Sequence, residues 1–408
     1  MNWKELYENG SSIFGGAVSG GLDSCTVTHW LNENGVQVHC FTVDLGQPDE
    51  ENLQAVVDRM LACGASQATI LPGKELLADA GLKVLQAQAR YEGGYWNTTG
   101  IARPVTVKAI LDSLKNDNIN VLFHGATGRG NDQVRFQLTS NMLQPDLDVY
   151  APWRDQEFLD KFPGRKEMIE YCELNNLPIR PAKESRYSTD ANFLGLTHEA
   201  GDLEDVSISP DFVEPGMGVW PWDAPDKPEY VTIYWDQGVP KSINGTKMDL
   251  TGIFHEANII AGRNGVGIGT HVVENRFVGI KSRGIYETPG GTILNYAHRA
   301  IESITLNSKV AHAKEAIISR YSELVYNGFW FSEERKELQK IVDIDQSNVN
   351  GEVKLRLIKG NIIIIGRKSE NSLYNLSQVS FENNDVDSQE NADQFIRSQF
   401  KKINKKIK

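Results

Sequence analysis

The chain has 408 residues, 40% of them hydrophobic and 24% charged, and a formal net charge of −12. That length exceeds the usual single-core limit and predicts more than one domain. The acidic balance argues against a general nucleic-acid binder, which needs a basic surface to release counterions. No apolar run approaches membrane-spanning length, and Met1–Glu5 lacks the charged-then-apolar pattern of a signal peptide. Cys25, Cys40, Cys63 and Cys172 form no C-x-x-C pair and read as reduced thiols of a cytoplasmic protein. The scattered histidines, with no H-E-x-x-H, predict no protein-held zinc or other metal.

In chain order, the apolar run Ile13–Val18 leads into Ser19-Gly20-Gly21-Leu22-Asp23-Ser24. A helix follows over Leu22–Asn34, with Leu22, Cys25, Thr26, His29 and Trp30 on one face. A strand turning through Ser-Gly-Gly into a helix builds an anion site. Glycines let backbone N–H groups approach an oxyanion, and the helix N-terminus adds positive charge. Without a Gly-Lys pair before Ser or Thr it is not a Walker A loop, so it suits a phosphate group other than one tracked by a lysine.

Val36–Val43 is a buried strand ending at Asp44-Leu45-Gly46-Gln47-Pro48, and Asp49-Glu50-Glu51 reads as the acidic first turn of the next helix. Ala68–Leu71 is a strand, Lys74–Gln88 a helix and Val121–Phe123 a strand leading to a helix from Asn131. This alternation predicts a parallel sheet covered on both faces, with ligands beyond the carboxyl ends of its strands. Tyr91–Gly100, rich in glycine, aromatics and hydroxyls, reads either as a loop over a small polar ligand or as a connector. His124–Arg135 gathers glycines, an amide, a carboxylate and guanidinium groups, a density that helix capping by Asn131 or Asp132 does not explain.

Composition shifts after Asn175-Asn176-Leu177-Pro178, giving expected units of 1–175, 176–370 and 371–408. Val231–Trp235 begins antiparallel strands, Ile259–Gly269 is glycine-rich, and the charged stretches Val272–Arg276 and Lys281–Tyr286 alternate charge, glycine and apolar residues as a polar pocket in a sheet does. Helical patterns dominate from Gly290 to Ile344, and Glu352–Leu357 with Asn361–Ile365 forms a hairpin around Lys359-Gly360. Ala392–Lys408 reads as an amphipathic helix that packs on a neighbouring subunit or frays as a basic terminus.

The Ser19–Ser24 loop resembles the pyrophosphate loop of the ATP pyrophosphatases. Over nearly the whole chain, SGGLDS, DLGQPDE, YWNTTG, HGATGRGNDQVRF, RYSTDANFLGLTHEAGDLED and ENRFVGIKSRGIYETPGG, in that order, resemble the motifs of argininosuccinate synthases. That family joins citrulline and aspartate using ATP, giving argininosuccinate, AMP and pyrophosphate through a citrullyl-adenylate. The resemblance implies an α/β fold: a parallel-sheet, Rossmann-like pyrophosphate-loop nucleotide domain, an α+β synthetase domain and a C-terminal oligomerisation arm in a cytoplasmic homotetramer.

The resemblance also assigns residues. It gives ATP to Ala17, Val18, Ser19, Gly20, Gly21, Leu22, Asp23, Ser24, Cys25, Val43, Gly125, Thr127, Asp132, Ser188 and Asp190, with Mg²⁺ held through phosphate oxygens. Thr127, Asn131 and Asp132 match aspartate-contacting positions. Tyr95, Asn131, Arg135, Ser188, Thr197, Glu199, Glu274 and Tyr286 match citrulline-contacting ones. Asp23, Thr127 and Asp132 are the expected catalytic residues. The segment GATGRGNDQVRF follows the widespread branch of the family, whereas STDANFLGLTHEA follows a longer-tailed one. Open alternatives are a pyrophosphate-loop ligase for another ureido or amine substrate, a tRNA-modifying relative and a binding-only relic.

Overall fold

The computed structural model describes residues 2–48, 50, 52–128, 130–179, 186–275, 279–344, 346–375 and 390–403, without the side chains of 274, 275, 390–392 and 401–403. The apolar runs of the first half become β1 (Ile13–Ala17), β2 (Gln37–Asp44), β3 (Gln67–Pro72), β4 (Val121–His124) and β5 (Asp148–Tyr150). They form one parallel sheet in the order β3-β2-β1-β4-β5. The helices of this half are α1 (Trp3–Glu8), α2 (Leu22–Glu33), α3 (Leu53–Ala62), α4 (Lys74–Gln86), α5 (Thr98–Asn116), α6 (Asn131–Leu143), α7 (Gln156–Lys161) and α8 (Arg165–Leu174). Val38–Val43 of β2 is buried throughout, the pattern of a strand covered on both faces. The strand order reverses at β1, so the carboxyl ends of β1 and β4 open a crevice between them.

The second half holds two antiparallel sheets. One comprises β6 (Ser188–Asn192), β7 (Gly195–Glu199), β11 (Ile268–Asn275) and β12 (Ile280–Glu287), in the order β11-β12-β7-β6. The other comprises β8 (Glu229–Asp236), β9 (Val239–Ile243), β10 (Thr246–Lys247), β13 (Gly351–Ile358) and β14 (Asn361–Lys368), in the order β10-β9-β8-β13-β14. Around them lie α9 (Leu250–Arg263), α10 (Pro289–Thr305), α11 (Ser308–Tyr326) and α12 (Glu333–Asp343), and α13 (Glu390–Ile403) comes last. One apolar core joins the two halves, with Phe41, Leu77, Val105 and Leu111 in the same cluster as Trp235, Ile253, Leu294 and Leu355. A second core, built from Trp3, Trp30, Phe158 and Cys172, packs α1, α2, α7 and α8 together.

Several local expectations change. The Tyr91–Gly100 stretch runs directly into α5, a helix buried along most of its length and containing Pro104. Burial on most sides erases the apolar–polar period that would have announced it. Helix α3 starts after the acidic triplet, capped by Asn52, whose Oδ1 accepts the N–H groups of Gln54 and Ala55 at 3.1 and 3.4 Å. Of that triplet, Asp49 and Glu51 lie outside the described residues. Neither Asn131 nor Asp132 caps α6, because Gly130 occupies the N-cap and those two belong to the first turn. The first half of the glycine-rich Ile259–Gly269 stretch belongs to α9, which ends at Arg263. The expected hairpin is β13–β14, turning at Lys359 and Gly360, both at positive φ as a type I′ turn requires.

Candidate active site

The carboxyl end of β1 delivers the Ser19–Ser24 loop to the crevice. Gly21 is the N-cap of α2 and offers no side chain, so the first N–H groups of that helix have no cap acceptor and remain open to an anion. Ser24 Oγ accepts the Ser19 N–H at 3.2 Å and closes the loop on itself. From β4, Gly125 approaches α2 so closely that a Cβ there would lie 2.9 Å from Asp23 Cβ. Trp153 Nε1 donates to Asp23 Oδ1 at 3.0 Å. Burial raises the Asp23 carboxyl above its ordinary value, against that hydrogen bond and the charge of Arg165.

A cavity of about 270 Å³ opens here. Ala17, Val18, Ser19, Gly21, Asp23, Ser24, Val43, Gly125, Asp132 and Asp190 line it together, beside apolar walls from Phe41, Leu45 and Phe136. Three loop positions lie elsewhere. Gly20 faces α3, and Leu22 packs against the second core. Cys25 is buried, with its N–H on Gly21 O at 3.0 Å. His124, also at the cavity, is stacked on Phe136 with ring centroids 4.8 Å apart. Its Nδ1 accepts the Ala126 N–H at 3.2 Å, and burial pushes the imidazole down to about 3, so it is a neutral ring.

Arg103, on α5, ties the two halves together. Its Nε donates to Asp132 Oδ2 at 2.8 Å and its Nη2 to Asp190 Oδ2 at 2.7 Å. Thr99 Oγ1 adds a bond to the same Asp190 oxygen at 3.0 Å, and Arg135 Nη1 donates to Asp132 Oδ1 at 2.8 Å. Burial pushes the Asp132 carboxyl up, but Arg103 and Arg135 outweigh it and hold the carboxyl below its ordinary value. Burial likewise opposes the charge of Arg103, which Asp132 and Asp190 restore and strengthen. The sequence reading missed Arg103; the available signal was a lone charge set among Ile101, Ala102, Pro104 and Val105.

Beyond the bridge, sheet register gathers the synthetase-half residues. Ser188 pairs with Glu199, Asp190 with Thr197, and Thr197 with Tyr286, which puts all five on one face. Thr197 Oγ1 is buried without a hydrogen-bond partner among the described residues, a polar group available to a ligand. Glu199 is exposed at the end of its strand, and its carboxyl is raised above its ordinary value by partial desolvation in the site, then by the charges of Asp132 and Asp190. Tyr95 leans on Tyr286 at 4.7 Å between centroids, and its hydroxyl accepts the Thr99 N–H at 2.9 Å.

Tyr326 is the second residue the sequence did not reveal. It stacks on Tyr91 at 3.6 Å, and its hydroxyl accepts from Asn131 Nδ2 at 3.1 Å. Its carbonyl takes Arg135 Nε and Nη2 at 3.1 and 2.8 Å, so the Arg135 guanidinium is already held from two sides. No motif pointed to Tyr326, because the contact spans 191 positions. Thr127 is exposed and does not line the cavity. Glu274 lies on β11 opposite Lys281, and its side chain is outside the described residues.

A glycine loop at the switch point of a parallel sheet, facing a cavity shared with the second half, has the arrangement of a nucleotide-binding α/β enzyme. Residues 16–178 match the family model for the arginosuccinate synthase N-terminal HUP domain, and residues 187–406 that for the arginosuccinate synthase C-terminal domain. A curated argininosuccinate synthase from Rhodopirellula baltica is 43% identical over 94% of this chain and 95% of its own. Those of Syntrophobacter fumaroxidans and Ehrlichia canis are each 42% identical over 93% of this chain, covering 94% and 96% of their own. The chain belongs to the argininosuccinate synthase family.

Proposed function

We propose that this chain joins L-citrulline to L-aspartate with ATP, releasing AMP and pyrophosphate in the service of arginine biosynthesis. The observation that carries the reading is the single cavity lined both by the Ser19–Ser24 loop and by Asp190 of the second half. The first step is attack of citrulline's ureido oxygen on the α-phosphorus, breaking its bond to the β-phosphate oxygen. The aspartate amine then attacks the activated carbon and expels AMP, which carries the ureido oxygen away. No enzyme nucleophile is needed, so the protein's work is alignment and charge stabilisation.

In this scheme Ser19, Gly21, Asp23 and Ser24 face the phosphates, and Ala17, Val18 and Val43 the rest of ATP. Asp132, Thr127 and Asn131 serve aspartate. Tyr95, Ser188, Thr197, Glu199, Glu274 and Tyr286 serve citrulline, and Arg135 contributes through Asp132 and Tyr326. Among the described residues no group of three or more His, Cys, Asp or Glu is arranged to hold a metal ion. Asp132 and Asp190 are already paired with Arg103. Mg²⁺, if carried on phosphate oxygens, would supply neutralising charge for the departing pyrophosphate.

We place the units at 1–175, 176–370 and 371–408; the two family models end at 178 and begin at 187, which supports the first of these boundaries, and the second model runs on to 406 without a break near 370. We assign the chain to the cytoplasm as a homotetramer. Helix α13, with Phe395, Ile396 and Phe400 each at least 60% exposed, supports an arm that packs on another subunit. Among the described residues no helix is long and apolar enough to cross a membrane.

The test is pyrophosphate release by the purified protein, dependent on both citrulline and aspartate. Citrulline labelled with heavy oxygen in the ureido group is expected to deliver its label to AMP. Unlabelled AMP, with the label retained in the ligated product, would overturn the adenylate route. A pyrophosphate release that ignores citrulline would overturn the substrate.

A further inference from the structure

We propose that Arg59 is a positioning residue of the phosphate loop, aiming the Gly21 N–H into the cavity by holding the carbonyl of Gly20. The inference rests on the reading of Ser19–Ser24 as a pyrophosphate cradle. Arg59 lies on α3, 39 positions along the chain from Gly20, and its Nη1 donates to Gly20 O at 2.8 Å. That is the guanidinium's one hydrogen bond among the described residues. The side chain is half-buried.

The loop is shaped for this contact. Gly20 has φ +71°, and a Cβ there would lie 2.4 Å from Arg59 Nη1 and 2.9 Å from Val56 Cγ1. Any other residue would meet both a strained backbone and the side chains of α3. The C=O and N–H of a trans peptide point in opposite directions, and the described chain contains no cis bond. With Gly20 O turned toward α3, the N–H of the same peptide, that of Gly21, turns away from it. Gly21 lines the cavity and Gly20 does not, in agreement with that orientation.

Chemistry adds to geometry. A hydrogen bond from a charged donor is shorter and stronger than a neutral one, and it polarises the peptide it holds. The Gly21 N–H becomes a stronger donor to phosphate, although Arg59 itself stands behind the loop. Negative charge grows on the leaving pyrophosphate as its bond to the α-phosphorus breaks, so the polarised N–H favours the departing group over bound ATP. The loop thus has a cation at second hand, supplied from α3 in place of a Walker lysine.

The experiment compares the full-length wild type with Arg59→Met and Arg59→Lys, using inorganic pyrophosphate with Mg²⁺ as the calorimetric probe. Arg59→Met is expected to weaken pyrophosphate binding about tenfold and to lower kcat. The citrulline KM and the melting temperature should stay close to wild type, and Arg59→Lys should recover most of the affinity. Equal pyrophosphate affinity in wild type and Arg59→Met would overturn the proposal. So would a loss shared equally by citrulline and by Arg59→Lys, which is the mark of general structural damage. A wild type that binds no pyrophosphate would instead overturn the reading of the loop on which this rests.

Discussion

Asparagine at position 190 tests whether the Arg103 bridge couples the two halves or only decorates the cavity between them. Asp190 Oδ2 accepts from Arg103 Nη2 at 2.7 Å and from Thr99 Oγ1 at 3.0 Å. The Arg103 and Asp190 side chains are 23% and 32% exposed, so the pair is neither dry nor fully solvated. Two unit charges 4 Å apart attract by about 4 kcal/mol at an effective dielectric near 20. Water at the cavity reduces this, and a net coupling of about 1.5–3 kcal/mol is expected for a charge-assisted pair. Asp190→Asn and Arg103→Met, with their double variant, form the cycle, read by urea denaturation followed through tryptophan fluorescence. Arg103→Met alone leaves Asp132 and Asp190 without their shared cation, so the double variant should lose less stability than the two single losses added together. Coupling below about 0.5 kcal/mol, the ordinary scatter of additivity, would refute the bridge as an energetic link.

Three further outcomes are expected. Asp23→Asn and Ser24→Ala should each raise the ATP KM or lower kcat, at a cost of about 1.5–3 kcal/mol. They should leave citrulline binding little changed, and near-normal turnover in both would remove the loop from the mechanism. The Glu199 carboxyl titrates above its ordinary value in the folded protein, so its ionisation opposes folding. Glu199→Gln should therefore stabilise the protein at neutral pH, and the gain should fade as pH falls through the folded value toward the ordinary 4.5. A gain independent of pH in thermal melts would contradict this sign. In the core, Lys314 and Glu302 are paired with side chains 5% and 8% exposed, and Gln346 Nε2 donates to Glu302 Oε1 at 3.0 Å. Lys314→Met leaves that carboxylate buried without its cation and should cost about 3–5 kcal/mol. A loss under about 1 kcal/mol in urea titration would show the pair to be replaceable.

The amino-acid sequence by itself determined the parallel sheet, the phosphate loop and the hairpin, whereas Val43, Asp132 and Asp190 were assigned to the site through the resemblance to the family's motifs. Sheet, loop and hairpin were legible because each of these signals is local. A buried strand is a short apolar run, an anion cradle is Ser-Gly-Gly between strand and helix, and the β13–β14 hairpin follows from a turn at positive φ. Topology then gathered Ser19–Ser24 and Gly125 without further information, because parallel strands put their following loops on one edge. Only the tertiary structure supplied α5, Arg103, Tyr326 and Arg59. Helix α5 is buried on most sides, so its period is silent in the chain. Arg103 meets Asp190 across 87 positions, Arg135 meets Tyr326 across 191, and Arg59 meets Gly20 across 39. Contacts at such separations are set by how helices and sheets pack on a shared core, and a charge acquires its partner only after that packing is complete.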